Sequence, residues 1–493
     1  MSVRYEETYS RGGDSDFFKY IALIASIGAA VSVAMVIMSL LKMGIDFSSG
    51  PLFIVVLADI GLTALLFIIV LSETINRNNI LRFGTIALAV LILFINLFVQ
   101  SYISAADDFI NEIYAPRITS AGAIEYSVIA QQTAGVVLNS KNAVRAGIQN
   151  DDPLRQDAEN ETKRLSNASL TEFENLATMI DATEESELDI AVVQSAILKA
   201  YAEYFPEDFD NLDVLATFRV GNDASATNDA NVKIDITKPF MIYISGLDDF
   251  GNIDEITARS DFNMIVCIDP ERYKMLLVAT PRDYYVQLHG TTGVRDKLAH
   301  AGVYGISMSK KTLEDLYGID VDYVMLINFD TIVTLVDSMG GILVDNPATF
   351  DLWGQTYKEG TIWLNGDMAL LFSRARKSLE HGDIDRVANQ QLVIQGIMDR
   401  ITDPRMVVHY KTILSNMAPY FRSNVPPDIY TQLFSRQISL GGDWDVSKLV
   451  ADGTPASRPT YSMGSQELSV ILPDDTSLNE IRTEIYNFMH RID

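Results

Sequence analysis

The sequence predicts an α/β protein, in which a layered domain with a central β-sheet flanked by helices follows three transmembrane helices and a small helix-rich accessory domain. Three long apolar runs lie within the first 105 residues. Residues 106–220 place apolar side chains mainly at helical spacing. From residue 240 onward, short β-branched-rich runs alternate with helical stretches, and this alternation is typical of a sheet covered by helices.

The apolar runs occupy residues 20–41, 52–71 and 83–104, and each is long enough to cross a bilayer core. Basic residues are frequent in the N-terminal tail and between the second and third runs, whereas the loop between the first two runs contains only Lys42. Because basic loops stay in the cytoplasm, we expect a multi-pass cell-membrane protein with a cytoplasmic N-terminus and an extracellular C-terminal part. A large extracellular part with one cysteine, Cys267, suits a Gram-positive bacterium.

Four segments follow from these patterns. We expect the tail and transmembrane helices at 1–105, an extracellular accessory domain at 106–220, a linker at 221–239 and the α/β domain at 240–493. The linker is rich in Gly, Asn, Asp, Ala and Thr. In the accessory domain, "LRQDAENETKRLSNASLTEFENLATMIDAT" and "ELDIAVVQSAILKAYAEYF" predict helices, and the alternating piece "AIEYSVIA" predicts a strand.

The α/β domain has apolar runs of both kinds. Strands are predicted at 240–245, 262–269, 273–280 and 321–329. Helices are predicted at 309–318, 329–341 and 386–402.

The composition excludes several classes of function. Acidic residues outnumber basic residues 65 to 38, and the net charge is −27, so the chain is not expected to bind nucleic acid. A single cysteine forms neither an internal disulfide nor a zinc ligand set, and Cys267 is expected to be a small buried hydrophobe.

Charged residues cluster where predicted strands end, which is where α/β proteins tend to place their sites. Asp248 follows the first strand in "ISGLDDFG", Arg259 and Asp261 precede the second in "ARSDFN", and Arg282 and Asp283 follow the third in "TPRDYY". A fourth cluster, "FSRARKSLEHGDIDRVANQQ", spans residues 372–391 and contains further arginines and amides.

These residue types fit phosphoryl chemistry. Carboxylates at two strand ends suit a magnesium ion, which takes one or two of them and completes its shell with water and phosphate. Arginines match phosphate oxygens, and together with magnesium they form the clamp of phosphoryl transfer. No Ser–His or Cys–His pair stands out, so the substrate is expected to supply the nucleophile. The anion expected here is a phosphate or a pyrophosphate.

Each cluster taken alone also fits a structural interpretation. Aspartate–arginine pairs are common salt bridges, "RARK" suits a solvated helix end, and "GDIDR" suits a helix cap with a surface arginine. His300 and His381 are expected to be structural. Four clusters that each lie at the end of an apolar run favour the functional interpretation.

The order and spacing of these motifs resemble the catalytic domain of the LytR–CpsA–Psr (LCP) family from residue 240 to about 403, and the tail through 493 is compatible with it. The stretches are "SGLDDFG", "RSDFNMIVCIDP", "VATPRDYYV", "DKLAHAGVYG", "YGIDVDYVMLINFDTIVTLVDSMGGI", "LNGDMALLFSRARK" and "GDIDRVANQQLVIQ". The region before the linker resembles the accessory segment of the capsule-associated, CpsA-like branch.

The resemblance implies an LCP-type fold and a transferase of cell wall biogenesis. Such enzymes move a glycopolymer, such as capsule polysaccharide or teichoic acid, from an undecaprenyl-pyrophosphate carrier to peptidoglycan outside the membrane. Magnesium assists, and the polyprenyl chain lies in an apolar pocket. The implied partners are the lipid-linked glycan, peptidoglycan and other capsule or wall synthesis proteins.

The resemblance also implies roles for individual residues. Asp248 and Asp261 would hold the magnesium. The pyrophosphate would be bound by Arg259, Arg282, Arg374, Arg376, Arg386 and Gln390. The expected catalytic residues are Arg282, Asp283, Arg374, Arg376 and Arg386. Asp283 would either support its neighbouring arginine or act as the base.

The chain departs from the family pattern at two positions. Asn389 replaces an arginine that many members have, and Asp249 adds a second acid beside Asp248. Two other functions stay open on the sequence alone. One is a membrane-bound regulator that binds lipid-linked polymer without turnover, and the other is a lipid pyrophosphate phosphatase that uses water as the acceptor.

Overall fold

The computed structural model describes residues 10–42, 50–72, 79–115, 124–139, 142–150, 152, 154–174, 176–220, 236–250, 253, 258–376, 378–379, 382–401, 403–440 and 444–492. Most of the predicted linker, residues 221–235, lies outside them, and the predicted domain limits stay a prediction. The chain forms two compact units. The first contains Met1–Glu112, Tyr410–Ser415 and Pro426–Asp443, and the second contains Ile113–His409, Asn416–Val425 and Trp444–Asp493.

The first unit confirms three long apolar helices where the sequence predicts them. Within the described residues, three helices are long and apolar enough to cross a membrane: α1 (Ser10–Lys42), α2 (Gly50–Leu71) and α3 (Asn79–Ile113). Ala29, Leu66 and Ala89, one from each helix, are fully buried in one cluster. The side chain of Gln100 in α3 also donates a hydrogen bond of 2.8 Å to the hydroxyl of Ser39 in α1. These apolar and polar contacts hold the three helices together.

A helix from far downstream belongs to the same unit. The helix Pro427–Leu440 packs against the N-terminal helices, and its Tyr430 lies against the cluster that contains Val36, Val56 and Ile110. The first unit is therefore built from two distant parts of the sequence.

The accessory domain in the second unit is a five-stranded sheet with three α-helices. Its strand order is β3-β2-β4-β1-β5, with β2 parallel to β3 and β4, and β1 antiparallel to β4 and β5. The elements in chain order are β1 (Ile124–Gln131), β2 (Ala143–Gln149), α4 (Arg155–Leu165), β3 (Asn167–Phe173), α5 (Leu176–Glu184), β4 (Ile190–Gln194), α6 (Ser195–Tyr204) and β5 (Leu212–Val220).

The prediction of a helix-rich accessory domain is therefore wrong, although the strand predicted at "AIEYSVIA" is confirmed as β1. All five residues of β4 are buried, and a short continuous apolar run of this kind has no periodicity that separates a buried strand from a helix. Because β4 leads directly into α6, the two elements together have the pattern of one long helix. Strand β3 lies between the helices α4 and α5, in a stretch for which the sequence pattern predicts helix throughout.

The C-terminal α/β domain is built on a six-stranded sheet of order β16-β11-β6-β7-β8-β17. The first four of these strands in chain order confirm the predicted ones. The strands are β6 (Phe240–Leu247), β7 (Ser260–Asp269), β8 (Lys274–Ala279), β11 (Tyr323–Asn328), β16 (Phe421–Ser423) and β17 (Asp445–Val450). Strand β7 is antiparallel to β6 and β8, whereas β11 is parallel to β6 and β17 is parallel to β8.

Helices and small hairpins complete the domain, and the three predicted helices are confirmed as α8, α9 and α11. The short strands are β9 (Tyr285–Val286), β10 (Asp296–Lys297), β12 (Ile342–Asn346), β13 (Phe350–Leu352), β14 (Gln355–Tyr357), β15 (Gly360–Leu364), β18 (Gly453–Thr460) and β19 (Gly464–Pro473). The helices of the domain are α7 (Leu298–Ala301), α8 (Ile306–Tyr317), α9 (Phe329–Ser338), α10 (Gly366–Arg374), α11 (Asp383–Ile401) and α14 (Asp475–His490). Between α11 and α14 the chain also forms α12 (Tyr410–Met417), most of which belongs to the first unit, and α13 (Pro427–Leu440), which belongs to it entirely.

The two faces of the sheet have different functions. Side chains alternate across a strand, so Tyr243 of β6 points into the core formed with α8 and α14, where Cys267 is also fully buried. Ile244 and Gly246 lie on the opposite face, beneath α9 and α11, and line a cavity there. A Cβ atom at Gly246 would lie 2.6 Å from the Cβ atom of Phe262. Glycine therefore lets β6 and β7 approach each other next to the candidate site.

Candidate active site

The strand directions bring the four charged clusters together. Strands β6, β8 and β11 run the same way, so their carboxyl ends meet at one edge of the sheet, and the antiparallel β7 begins there. Asp248 follows β6, Arg259 and Asp261 lie at the start of β7, and Arg282 follows β8. Arg374 reaches the same edge from the last turn of α10.

Three arginines surround the carboxylate of Asp248. The nearest nitrogen atoms of Arg259, Arg374 and Arg282 lie 2.7, 3.8 and 3.9 Å from its oxygen atoms. Arg282 also forms a hydrogen-bonded ion pair with Asp261. The two predicted magnesium ligands and three of the predicted pyrophosphate ligands thus belong to one connected group of charges.

Asp283 lies at the centre of a second, deeper group of charges. Its side chain is 1 % exposed, and it lies 2.7 Å from Arg376, 3.1 Å from Lys297 and 3.6 Å from Arg282. Burial alone would raise the pKa of Asp283, but the surrounding lysine and arginines outweigh burial and lower that pKa to about 2. The carboxylate is therefore suited to fixing the arginines in place, and its low proton affinity makes it a poor base.

Lys297 is a residue that sequence reasoning missed. It lies within the "DKLAHAGVYG" stretch, and its ammonium group is almost completely buried against Asp283. Lysine is rarely buried unless it is paired, so the buried pair belongs to the framework of the site. The apolar neighbours Leu298 and Ala299 were the available signal that this lysine is internal.

The first turns of α11 supply the remaining predicted residues. Arg386 and Gln390 line the cavity. Arg386 is buried, and its positive charge helps to lower the pKa of Asp283. Asn389, where many family members have arginine, is buried and donates a hydrogen bond of 3.3 Å to the carbonyl oxygen of Phe372. Asn389 thereby ties α11 to α10.

The group of charges lies at one end of a cavity of about 570 Å³. Polar side chains at that end include Asp261, Arg282, Arg374, Arg376, Arg386 and Gln390. The rest of the lining is mainly apolar and comes from β6, β11, α9, α11 and the β13–β14 hairpin. Arg374 also lies over the ring of Phe329, 4.4 Å from its centroid, which holds this cation at the boundary between the polar and apolar parts. The cavity is suited to a ligand with an anionic head and a long apolar tail.

The two acids fit the chemistry of a magnesium ion. Burial and the nearby charge of Asp261 raise the pKa of Asp248, so a cation between them would relieve their repulsion. The Oδ1 atom of Asp261 is buried and accepts no hydrogen bond from the described residues. The described residues contain no group of three or more His, Cys, Asp or Glu side chains placed to hold a metal, so water and substrate phosphate would supply the other ligands.

His300 does not line this cavity. His300 is fully buried, and its Nδ1 atom lies 2.7 Å from Asp296, which also accepts hydrogen bonds from the backbone and hydroxyl of Ser462. His381 lies outside the described residues.

Comparison with known proteins places this arrangement in a family. The model of the LytR_cpsA_psr family matches residues 215–484. A polyisoprenyl-teichoic acid–peptidoglycan teichoic acid transferase TagU of Bacillus anthracis is 32 % identical over 213 residues, which are 43 % of this chain and 68 % of that protein. A TagU of Bacillus licheniformis is 26 % identical over 268 residues, 54 % of this chain and 83 % of the relative.

Among solved structures, TagV of Bacillus subtilis has 27 % identity and a TM-score of 0.44, over 52 % of this chain and 98 % of TagV. The matched residues 215–484 cover more than half of the sequence and include every charged residue of the site. The chain belongs to the LytR–CpsA–Psr family.

Proposed function

We propose that the protein is a membrane-anchored cell-wall glycopolymer transferase. It would move a polysaccharide or a teichoic-acid-like polymer from an undecaprenyl-pyrophosphate carrier to peptidoglycan outside the membrane, assisted by magnesium. The observation that carries the proposal is the group of arginines and carboxylates at the polar end of an apolar cavity. The named transferase relatives, which act on polyisoprenyl-linked teichoic acid and peptidoglycan, support the same reaction class.

The cavity suggests how the donor is bound. The polyprenyl chain would occupy the apolar part between the sheet and helices α9 and α11, where Val393, Ile394 and Ile397 face it. The pyrophosphate would lie at the polar end, where the guanidinium groups of the site match its oxygen atoms in a partly buried setting. Lipid and headgroup are thus recognised by opposite ends of one cavity.

In the proposed reaction, a peptidoglycan hydroxyl attacks the phosphorus atom next to the sugar. The bond between that phosphorus and the bridging oxygen breaks, and undecaprenyl phosphate leaves with the bond electrons. The arginines hold the negative charge that develops on the leaving phosphate. The hydroxyl proton passes to a carboxylate of the site, Asp248 or Asp261. Asp283 holds Arg376 and Arg282 in position.

Magnesium, bound by Asp248 and Asp261, would supply further charge neutralisation at the phosphates. Removal of the ion by a chelator is expected to reduce transfer strongly.

The test uses the full-length protein in liposomes that contain an undecaprenyl-pyrophosphate-linked oligosaccharide, with a soluble peptidoglycan fragment added. Release of undecaprenyl phosphate and attachment of glycan to the fragment are measured with magnesium and with EDTA. We expect magnesium-dependent release with transfer. Release without transfer would indicate the phosphatase, and binding without release would indicate the regulator.

The arginine assignment is tested in the same assay. Arg374→Ala and Arg376→Ala should each abolish transfer, because each removes a cation from the phosphate site. Arg405→Ala is the matched control, since Arg405 is exposed and pairs only locally with Asp403. Circular dichroism establishes that each variant is folded. Wild-type rates in both site variants would contradict the assignment.

A further inference from the structure

The accessory domain shares a hydrophobic cluster with the C-terminal α/β domain. Met179 of α5 and Tyr201 of α6 are buried in one cluster with Val303, Met463 and Leu468, and the last three residues belong to the α/β domain. Met463 lies between the two strands of the β18–β19 hairpin, and Leu468 lies in β19. A continuous apolar interface restricts relative motion between domains. Side chains of the accessory domain therefore hold fixed positions beside the α/β domain.

One of these side chains reaches the loop that carries the first site aspartate. Lys199 of α6 places its ammonium group 3.1 Å from the Oδ2 atom of Asp249. Asp248, the preceding residue, pairs instead with Arg259, at 2.7 Å. The backbone of the same loop is held by Phe329, whose N–H group donates to the carbonyl oxygen of Asp249. Adjacent aspartates thus have separate partners, one in the site and one in the accessory domain.

We propose that Lys199 is a positioning residue for the donor site. By pairing with Asp249, Lys199 keeps this second carboxylate out of the group formed by Asp248 and the arginines. The inference rests on the proposed function in one respect, that the donor headgroup is a pyrophosphate.

The physical argument concerns charge. Asp249 is next in sequence to a residue that faces an anion-binding site, and an unpaired carboxylate there would repel a pyrophosphate or compete for the arginines. Lys199 neutralises it from a domain that has no other assigned role in the reaction. Because the pair is partly exposed, it contributes little to folding stability, and its effect is expected in donor affinity.

The test compares full-length Lys199→Gln, Asp249→Asn and the double variant in detergent micelles, with undecaprenyl pyrophosphate as the titrant at constant magnesium. We expect Lys199→Gln to weaken binding by about two- to fivefold, the range of a lost exposed pair. The double variant should return to wild-type affinity, because no unpaired carboxylate is left. In the transfer assay, KM should change and kcat should stay constant.

Lys163→Gln is the matched control, because Lys163 pairs with Glu159 on the surface of the same domain. Equal melting temperatures establish that the variants fold alike. Unchanged affinity of Lys199→Gln would overturn the inference, as would a double variant as weak as the single one. The binding measurement does not depend on turnover. A wild-type protein that binds undecaprenyl pyrophosphate but transfers no glycan would contradict the proposed transferase function without contradicting the role of Lys199.

Discussion

At the residue scale, the site depends on cations held by a buried acid. Asp283 contacts Lys297, Arg282 and Arg376, and its low pKa shows that these charges stabilise the ionised form. A buried carboxylate that is paired on several sides contributes stability as long as it is ionised, and its removal leaves cations without a counter-charge.

We expect Asp283→Asn to lower the melting temperature of the full-length protein at neutral pH, at a cost of about 3–5 kcal/mol. The pKa of Asp283 is about 2 in the folded protein, below the unfolded value of about 3.9. Its contribution is therefore complete above pH 4 and is lost as the pH falls toward 2. The melting temperature should fall more steeply with decreasing pH in this range for the wild type than for Asp283→Asn.

Asp320→Asn is the control for this prediction, because Asp320 is exposed on the surface. An equal pH dependence of the melting temperature in Asp283→Asn and the wild type would show that the charge group does not stabilise the fold.

The positions of Asp248, Arg259, Asp261 and Arg282 could be predicted from sequence because each lies next to an apolar strand, whereas Arg374 and Arg386 lie on helices. Strand direction alone then brings Asp248, Asp261 and Arg282 together. The partners of these residues could not be predicted. Lys297 and Lys199 meet Asp283 and Asp249 through the packing of separate elements, and side-chain contacts of this kind have no local pattern.

At the element scale, the β13–β14 hairpin forms part of the cavity wall. Leu352 and Trp353 lie at its turn and line the cavity, yet Trp353 is 72 % exposed. Trp353 has a φ angle of 47° and Gly354 one of 81°, the left-handed pair that a tight two-residue hairpin turn requires. The turn geometry thus holds an aromatic ring at the edge of an apolar cavity.

Trp353→Ala should raise the KM for the lipid-linked donor about tenfold or less, because a ring that covers part of the tail contributes on the order of 1 kcal/mol. Trp363→Ala is the matched control, since Trp363 is also exposed on a hairpin strand but does not line the cavity. Steady-state kinetics with the undecaprenyl and a short-chain donor measure the effect. An equal loss for both donors would place Trp353 outside the tail-binding region.

The elements also show where pattern reasoning succeeds. Strands β6, β7, β8 and β11 were predicted because β-branched apolar runs bounded by turns are distinctive. In the accessory domain, the sequence pattern predicts only β1 and misses β2, β3, β4 and β5. Strand β4 is short, fully buried and followed directly by α6, so its apolar run has no periodicity that separates it from a helix.

At the scale of the whole molecule, the catalytic sheet is assembled from distant parts of the sequence. Strand β17 pairs in parallel with β8, and α14 packs into the core beside β6 and β7. A chain that ends at residue 440 lacks β17, the β18–β19 hairpin and α14, and leaves Leu276 and Val278 without part of their cover.

We expect this truncated chain to be degraded or insoluble and to have no transfer activity, because it loses a strand and a helix of the core. A chain that ends at Arg491 should behave as the longer chain, since it keeps α14 and its cap and loses Ile492, which is exposed, and the residue after it. Limited proteolysis of both in membranes measures the difference. Protease resistance of the shorter chain would contradict the packing described for α14.

The long stretch of sequence between β8 and β17 also determines when the sheet can be completed. Until residues 445–450 have been synthesised, β8 is an unpaired edge of the sheet. An unpaired edge strand can pair with strands of other chains. The domain cannot close progressively as it is made, because the pairing partner of β8 is synthesised long after β8 itself. Rapid overproduction should therefore cause losses through intermolecular association, and slower synthesis should give more native protein from the same message.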